Sequence, residues 1–510
     1  MSMSTVFALQ EGPRTQRVDL GNGLIMRWST RADADNVGEL LAEAFRWEPI
    51  GPPPPPGETP GPNEVVRASG RRLLRGNSAV MSEYDYALVE NTRAGPGENP
   101  IVSCACLHAV PGYYGSVHLQ FGKPEVIATH PNFRKKGLVR RLFEDMIHPA
   151  SDERGDLVQF ILGLPHFYLQ YGYTYALRTG EQKTVLPDLA LIPKADSNNT
   201  SEPFTLRTVT LDDMPYLVRM STPDKLHRPT TEIGLVFDEA YWRFTAHDVY
   251  QTKQSIFDAS RQTRIVVDAQ TGKDVGVTVT SFMGHWQIDL FVLDEAVATY
   301  HQALFPVLRQ LVSMAKDRYD YPDMPEDESM IDSLILGLGS HHPASKLLAP
   351  LTKPESTDRL YTRIASYPRF IRHVAPVLEE RLARSALAGV SGAIELDFFR
   401  KVIGASGAGL RIVLDQGRLV EVEDWVAPSA QERVLKRLKS SSSSSSHGGR
   451  QRVYSAQFAP LSFTRLLVGE IDVAQVVEQY GENSVKDAET RLLLDVLFPK
   501  VEHHIASLWW

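Results

Sequence analysis

Cysteine is nearly absent from this chain, and so is any long uninterrupted apolar segment. Only Cys104 and Cys106 occur among the 510 residues. Two thiols one residue apart make no disulfide framework, and no further ligands stand at metal spacing, so we predict two buried strand residues and no metal site. No stretch approaches the ~18 apolar residues of a membrane-spanning helix, and Met1–Arg14 lacks the pattern of a signal peptide. The sequence therefore predicts a cytoplasmic protein without a membrane span.

Basic residues are also in deficit. The chain has 54 lysines and arginines against 62 acidic residues, which gives a formal net charge of −8 at pH 7. Affinity for a phosphate backbone depends on basic surface, so this balance disfavours general nucleic-acid binding. Hydrophobic residues make up 43% and charged residues 23%, as in globular proteins, which excludes a disordered or fibrous chain. At roughly 150 residues per domain, the length predicts about three domains.

Three polar or proline-rich segments divide the chain. Gly51–Pro62 contains five consecutive prolines and predicts a surface loop. Residues 187–203 are polar and turn-rich, as in a linker, and residues 440–449 form a serine and glycine run that predicts a flexible insertion. The predicted organisation is a first domain over residues 1–186, a linker over 187–203, a second domain over 204–367 and a third domain over 368–510.

Strand-length apolar runs alternate with amphipathic helices in each unit. The first unit predicts strands at Leu24–Trp28, Tyr86–Val89, Ile101–Leu107, Val117–Phe121, Glu125–Thr129 and Leu157–Leu164, and helices at Ala32–Phe45 and from Leu138 onward. From Phe204 the chain repeats the opening order of strand, acidic helix start and amphipathic helix. The third unit, from Pro368, predicts a helix, a hairpin around Asp415–Arg418 and a helical end over Phe463–Trp510.

The most informative stretch is Val126–Arg141, which reads VIATHPNFRKKGLVRR. It predicts a strand, a turn and a helix start, an arrangement that directs unpaired backbone N–H groups at one point in front of the helix macrodipole. Gly137 permits close approach of a ligand to the backbone, and the neighbouring basic residues Arg134, Lys135, Lys136 and Arg140 add positive charge. These features favour a pyrophosphate site. The alternative is a basic helix start on a solvated face.

The same loop, followed by a buried strand and by FYLQYGYTYAL at Phe167–Leu177, resembles the GNAT N-acyltransferases, and in particular the enhanced-intracellular-survival branch. The loop pattern of that family is Arg/Gln-x-x-Gly-x-Gly/Ala. Arg134 and Gly137 match it, whereas Val139 departs from it. The resemblance covers nearly the whole chain. It implies tandem GNAT-like domains, each a mixed, mostly antiparallel sheet flanked by helices, the second without a cofactor loop, and a C-terminal sterol carrier protein-like α+β domain.

By this resemblance the chain is an acetyl-CoA-dependent N-acetyltransferase that acts on a primary amine, of a cationic small molecule or a protein lysine, by direct attack on the thioester. Acetyl-CoA is then a cosubstrate, no metal is needed, and a hexamer is the expected assembly. Backbone N–H groups at Val126–Ala128 would hold the thioester carbonyl. The predicted cofactor-binding residues are Val126, Ile127, Ala128, Arg134, Lys135, Lys136, Gly137, Leu138, Val139 and Arg140.

Acyl transfer to an amine also needs an acid for the leaving thiolate. Tyr168 occupies the position of the branch's tyrosine after the fifth strand, and a tyrosine near pKa 10 can return a proton to a thiolate of similar basicity. The alternative is that Tyr168 packs the helix against the sheet, and packing is the reading we favour for Tyr171 and Tyr173.

The base that accepts the ammonium proton has several candidates. The resemblance implies the free C-terminal carboxylate, here that of Trp510. Glu125 competes because it begins the strand before the loop, and His118 and His130 are further candidates. Two non-enzymatic alternatives remain open: a non-catalytic protein that binds CoA or lipid through a decayed site, and a lipid-transfer protein that uses the third domain.

Overall fold

The computed structural model describes residues 12–46, 61–75, 78–180, 183–195, 201–222, 224–226, 231–248, 261–282, 286–316, 333–398, 409–426 and 452–505. Most of the proline-rich segment, the serine and glycine run at 440–449 and Trp510 lie outside these residues, as do the middle of the 187–203 segment and most of Met1–Arg14. The described strands form three sheets. Within these residues no helix is long and apolar enough to cross a membrane.

The first sheet has ten strands and holds the stretch that the sequence singled out. Its main path runs β1-β2-β3-β4-β5-β6-β16-β7, and β10 joins the far end of β4 and pairs in turn with β22. The strands are β1 (Arg17–Gly21), β2 (Leu24–Trp28), β3 (Tyr86–Asn91), β4 (Ile101–Tyr114), β5 (Val117–Thr129), β6 (Val158–Ile161), β7 (Thr174–Arg178), β10 (Thr231–Leu235), β16 (Arg359–Arg363) and β22 (Glu502–His504).

The second sheet has seven strands in the order β15-β8-β14-β13-β12-β11-β9, and the third has five in the order β19-β18-β17-β20-β21. Those of the second are β8 (Lys183–Leu186), β9 (Phe204–Thr208), β11 (Arg261–Asp268), β12 (Asp274–Phe282), β13 (Trp286–Leu293), β14 (Leu334–Leu336) and β15 (Lys353–Glu355). Those of the third are β17 (Gly392–Asp397), β18 (Gly409–Asp415), β19 (Arg418–Asp424), β20 (Val453–Gln457) and β21 (Ser484–Val485).

Helices cover the sheets with their apolar faces. The α-helices are α1 (Ala34–Ala44), α2 (Glu64–Leu74), α3 (Leu138–Arg141), α4 (His148–Arg154), α5 (Met214–Met220), α6 (Glu239–Trp242), α7 (Tyr300–Lys316), α8 (Pro343–Leu348), α9 (Tyr367–Ala383), α10 (Pro460–Leu467), α11 (Val473–Gln479) and α12 (Ala488–Leu497). A π-helical segment, Leu142–Ile147, joins α3 to α4, so the chain is helical from Leu138 to Arg154. The helix predicted from Leu138 onward is thus confirmed.

The hairpin of β4 and β5 is longer than the sequence predicted. We expected β4 to end at Leu107 and expected two separate strands in place of β5, but β5 runs unbroken and pairs with β4 from Val117 to Thr129. The apolar pattern is interrupted at Lys123, Pro124 and Glu125, and the interruption misled the prediction because Lys123 and Glu125 pair with each other inside the protein. A buried ion pair satisfies both charges without ending the strand.

Two further elements were predicted to be longer than they are. The strand expected at Leu157–Leu164 is only β6, because Leu162 and Leu164 turn outward and are 41% and 69% exposed. The expected helical end, Phe463–Trp510, contains three helices but also β21 and β22, and its last described strand runs parallel to β10. A short apolar run does not by itself show whether it forms a helix or pairs with a strand from a distant part of the chain.

Strands cross the expected domain boundaries. β16 comes from the end of residues 204–367, yet it lies in the first sheet between β6 and β7. β8 precedes the 187–203 segment and pairs in the second sheet with β14 and β15. The sheets also share one apolar core, which includes Phe121, Val277 and Ile412 from the first, second and third sheets.

The first and second units begin with the same side-chain arrangement. Arg27 donates to Asp33 at 2.7 Å, and Arg207 donates to Asp213 at 2.7 Å. In both units the aspartate also accepts from the backbone N–H of a threonine three residues earlier, which fixes the start of the following helix. The repeated order of strand, acidic helix start and helix is therefore confirmed, down to the hydrogen bonds that build it.

A buried arginine ties the third unit to the first sheet. Arg381 of α9 donates to the carbonyl of Leu497 at 2.7 Å and to the hydroxyl of Tyr114 at 3.0 Å, and it pairs with Glu232. We expect Arg381→Met to lower the free energy of unfolding by about 1–3 kcal/mol, because it leaves buried acceptors without a donor.

Arg384→Met is the matched control on the same helix. Arg384, at the C-cap of α9, is 78% exposed and pairs with Glu380 of that helix, so its loss should cost less than about 0.5 kcal/mol. Urea unfolding of both variants measures the difference. Equal losses would contradict the role assigned to Arg381.

Candidate active site

A β-bulge shapes the end of β5. Cys104 pairs with Ala128, but Cys106 pairs with Glu125, so β5 carries one more residue than β4 between these pairs. Val126 takes up the extra residue with a φ of 51°, a left-handed value that is rare for a β-branched side chain. The bulge re-aims the backbone of the Val126–Ala128 stretch, which is the stretch expected to hold a thioester carbonyl.

The two central strands of the first sheet part just before this bulge. β5 and β6 run parallel and pair at Phe121 with Val158 and at Gly122 with Gln159. β6 pairs with β16 along its other edge, and in the described residues no strand covers the β6-facing edge of β5 from Lys123 onward. This edge presents backbone donors and acceptors to an open gap. An extended ligand can add to such an edge as a further strand would.

The loop after β5 presents free backbone N–H groups that can bind an anion. A short turn, Pro131–Phe133, leads to Lys135 and Gly137, which have φ values of 61° and 74°. Gly137 is the N-cap of α3, and the first helical hydrogen bond runs from the N–H of Arg141 to its carbonyl at 3.1 Å. The preceding N–H groups of the helix start, from Gly137 to Arg140, therefore have no intrahelical acceptor. Nothing lies within 4 Å of a Cβ built on Gly137, so a ligand can approach it.

The basic side chains predicted for this site surround the loop. Arg134, Lys135 and Lys136 are exposed, Arg134 also donating to the carbonyl of Thr129 at 3.1 Å and Lys136 lying over the ring of Phe133 at 4.6 Å. Arg140 instead pairs with Glu144 at 2.8 Å and donates to the Gln170 side chain at 3.1 Å. The net charge at the loop is therefore positive.

Two predicted residues of the loop contribute backbone rather than side chain. Leu138 is buried in the core beneath the helix, and Val139 packs against the aromatic cluster around Phe143. Since the Val139 side chain turns into the protein, it does not fill the space in front of its own N–H group. The departure of Val139 from the small-residue pattern therefore leaves the approach to the backbone open.

Tyr168 lies at the inner end of the gap. Its side chain is buried among aromatic rings, with ring centroids 5.8 Å from Phe143 and 5.3 Å from Tyr361. Within the described part of the chain its hydroxyl has no hydrogen-bond partner. Burial, and secondly the negative charge of Glu125, raise the pKa of Tyr168 well above its usual value. Tyr168 therefore keeps its proton at neutral pH.

Tyr171 and Tyr173 differ from Tyr168 in their surroundings. Tyr171 stacks on Phe143 with ring centroids 5.0 Å apart. Tyr173 is fully buried, donates to the side-chain oxygen of Gln159, and has its hydroxyl 3.2 Å from His148 Nε2. Both tyrosines thus pack the helical segment against the sheet.

Glu125 is the candidate base that lies on the part of β5 bordering the gap. Its side chain is about 10% exposed and pairs with Lys123, and its charge acts on Tyr168 and on Cys106. Cys106 is itself buried and donates to the backbone carbonyl of Glu125 at 3.2 Å. Cys104 is likewise a buried free thiol in β4, so both cysteines are buried strand residues as predicted.

The two candidate histidines are not brought to this point. His118 lies seven residues before Glu125 on the same strand, about 23 Å away at the usual rise. His130 accepts from the N–H of Asn132 at 3.3 Å and serves the turn. Trp510 lies outside the described residues. The described chain ends at Ile505, which donates to the carbonyl of Arg178 in the first sheet at 3.2 Å.

Sequence reasoning missed Lys123 and Tyr361. The signal for Lys123 was present, since Lys-Pro-Glu interrupts an otherwise apolar strand. Tyr361 arrives from β16, nearly 200 residues after Tyr168 in the chain, and donates to the carbonyl of Leu164 at 2.9 Å. No local pattern could have placed it there.

In the second unit, side chains of the protein bond to the backbone at the end of the corresponding strand, β13. β13 runs parallel to β14 as β5 does to β6. His342 Nε2 donates to the carbonyl of Phe291 at 2.7 Å, and the hydroxyl of Tyr300 accepts from the N–H of Leu293 at 3.2 Å. The backbone groups that would face a cofactor there already have partners, and the loop that follows, residues 294–299, has no glycine.

Residues 26–176 match the family model of the GNAT acetyltransferase domain, so this part of the chain carries a GNAT fold. No curated protein matches the sequence. Solved structures share the fold over nearly the whole length. One is a conserved protein from Enterococcus faecalis described as a probable N-acyltransferase, with TM-score 0.60, 13% identity and coverage of 94% of this chain and 98% of that one. Another is a GCN5-related N-acetyltransferase from Kribbella flavida, with TM-score 0.56, 13% identity and coverage of 95% and 98%.

The different surroundings of the two tyrosine hydroxyls predict different losses of stability. Tyr173→Phe should lower the free energy of unfolding by about 1–3 kcal/mol, because Gln159 and His148 lose their buried partner. Tyr168→Phe removes a hydroxyl without a partner and should change the stability by less than about 0.5 kcal/mol. Urea unfolding compares the two variants. A larger loss in Tyr168→Phe would show that its hydroxyl is structural.

Proposed function

We propose that the chain is an acetyl-CoA-dependent N-acetyltransferase that transfers an acetyl group to a primary amine by direct attack on the thioester. The observation that carries the proposal is the meeting of three features in one unit. The open edge of β5 leads at one end to the glycine turn before α3, and at its inner end to the protonated hydroxyl of Tyr168. The GNAT domain match over residues 26–176 supports the same conclusion.

Acetyl-CoA fits this site in an orientation set by charge. Its pyrophosphate would bind the N–H groups from Gly137 to Arg140, with Arg134, Lys135 and Lys136 supplying positive charge. The pantetheine arm would follow the free edge of β5, where its amides can bond to the backbone. The thioester carbonyl would then reach the bulge, where N–H groups of Val126–Ala128 can stabilise a developing oxyanion.

The chemistry needs two proton transfers. The amine nitrogen attacks the carbonyl carbon while a base takes its proton, and the carbon–sulfur bond then breaks as Tyr168 donates its proton to the leaving thiolate. Glu125 is the base that its position supports, because it lies on the part of β5 that borders the gap and its charge acts on Tyr168. The carboxylate of Trp510 is the base that the resemblance supports.

The acceptor is a primary amine on a cationic small molecule or a lysine side chain. The net charge of −8 supports a cationic acceptor by raising its local concentration. The third unit, with its five-stranded sheet beneath α9 and α12, would be the sterol carrier-like module. Its contact with the first sheet through Arg381 supports a role in shaping the acceptor side.

The experiment that tests this function is thiol release from acetyl-CoA with a panel of primary amines. Tyr168→Phe should lower turnover by about 10²-fold or more, with CoA affinity unchanged, because only the acid is lost. Tyr171→Phe is the matched control, since it removes a hydroxyl from the same turn and should turn over like the wild type.

Two outcomes would contradict the proposal. If the wild type binds CoA but releases no thiol with any amine, a non-catalytic CoA-binding or lipid-binding role becomes the better account. If both tyrosine variants keep wild-type turnover, Tyr168 is not the acid.

A further inference from the structure

Lys123 has no role in the reaction proposed above, yet it lies in an unusual place for a lysine. Its side chain is 7% exposed, that of Glu125 is about 10% exposed, and the two are paired on one face of β5 across Pro124. Two charges taken out of water are stable only as a pair. Breaking the pair would leave one charge buried and uncompensated.

The titratable groups on the strands opposite this pair are neutral. Directly opposite on β4 are Cys106 and His108, and Tyr86 faces them from β3. Burial lowers the pKa of His108 well below its usual value, and the charges of Lys123 and Arg154 lower it further, so His108 is neutral. Burial raises the pKa of Cys106 and of Tyr86 well above their usual values, so both are neutral too.

The residues of α1 and α2 that enter the same core are apolar, and those of α2 are Leu73 and Leu74. The residues of α1 that enter the same core are Ala34, Val37, Leu40 and Leu41. On the remaining side stands Tyr168, which is neutral as described above. Among the described groups, therefore, Lys123 is the cation that pairs with the Glu125 carboxylate.

We propose that Lys123 is a positioning residue for acetyl transfer, which keeps the Glu125 carboxylate ionised and fixed on the part of β5 that borders the gap between β5 and β6. This inference rests on the proposed function for its catalytic consequence. An ionised Glu125 can attract and orient the acceptor's ammonium group and can take its proton.

The first test follows the pH dependence of kcat/KM for thiol release in the wild type, Lys123→Met and Lys123→Arg. Without Lys123 the buried carboxylate holds its proton to higher pH, so the acid limb of the Lys123→Met profile should move up by at least about one pH unit. Lys123→Arg keeps the charge and should restore the wild-type limb. An unmoved limb in Lys123→Met would overturn the role in transfer.

The second test reads the ion pair without activity, from the thermal unfolding midpoint between pH 5 and pH 9. In Lys123→Met the folded state binds Glu125's proton more tightly than the unfolded state, so stability should fall as pH rises through this range. The double variant Lys123→Met/Glu125→Gln has no such group and should lack this pH-dependent loss.

The two series separate the possible failures. If the wild type releases no thiol, the proposed function fails, and the unfolding series still decides whether Lys123 keeps Glu125 ionised. If Lys123→Met and the double variant show the same pH dependence of unfolding, Lys123 does not control the ionisation of Glu125 and the inference is wrong. A general folding defect would lower the unfolding midpoint of both variants equally at every pH. The two variants would then show the same pH dependence, which also contradicts the inference.

Discussion

The geometry of the site depends on one constraint: β5 cannot stay paired with β6 beyond Gly122. The pairing ends at Gly122, and the bulge at Val126 follows four residues later on β5. β6 pairs with β16 along its opposite edge, so β16 does not cover this part of β5. In a sheet interior, unpaired backbone groups are costly unless something else satisfies them. The open edge of β5 is therefore a place where a ligand with amide groups gains hydrogen bonds that the fold leaves unmade. The loop from Pro131 to Gly137 and the tyrosine cluster lie at the two ends of this edge.

The second unit shows what happens when the same framework satisfies itself. It keeps the opening Arg207–Asp213 arrangement and the parallel pair of β13 and β14. His342 and Tyr300, however, bond to the strand end, and no glycine turn follows. With that strand end already hydrogen-bonded, the second unit contributes strands and apolar surface to the protein. The two units thus share a framework and differ at one strand end. In the second unit side chains of the protein bond to the backbone there, whereas in the first unit the edge of β5 is left for a ligand.

Local features of the sequence predicted much of this site. The turn before α3 could be inferred because Gly137 and the basic residues lie close together in the sequence. The helix from Leu138 could be inferred because its apolar residues recur at helical spacing. The ion pair of Lys123 and Glu125 was missed because polar residues in a strand indicate solvent unless their partner is known. Tyr361 and His342 could not be predicted either, since each meets its partner through contacts between residues far apart in the chain. The role of Tyr168 came from resemblance, and its surroundings came only from the fold.

The central claim is that one unit leaves a strand edge open for CoA and the other closes it. Calorimetric titration of the full chain with CoA tests this most directly, because it counts sites without requiring the acceptor amine. The account predicts one CoA bound per chain. Two bound molecules would show that the second unit is also open, and no binding at concentrations up to the millimolar range would show that the loop before α3 is not a CoA site.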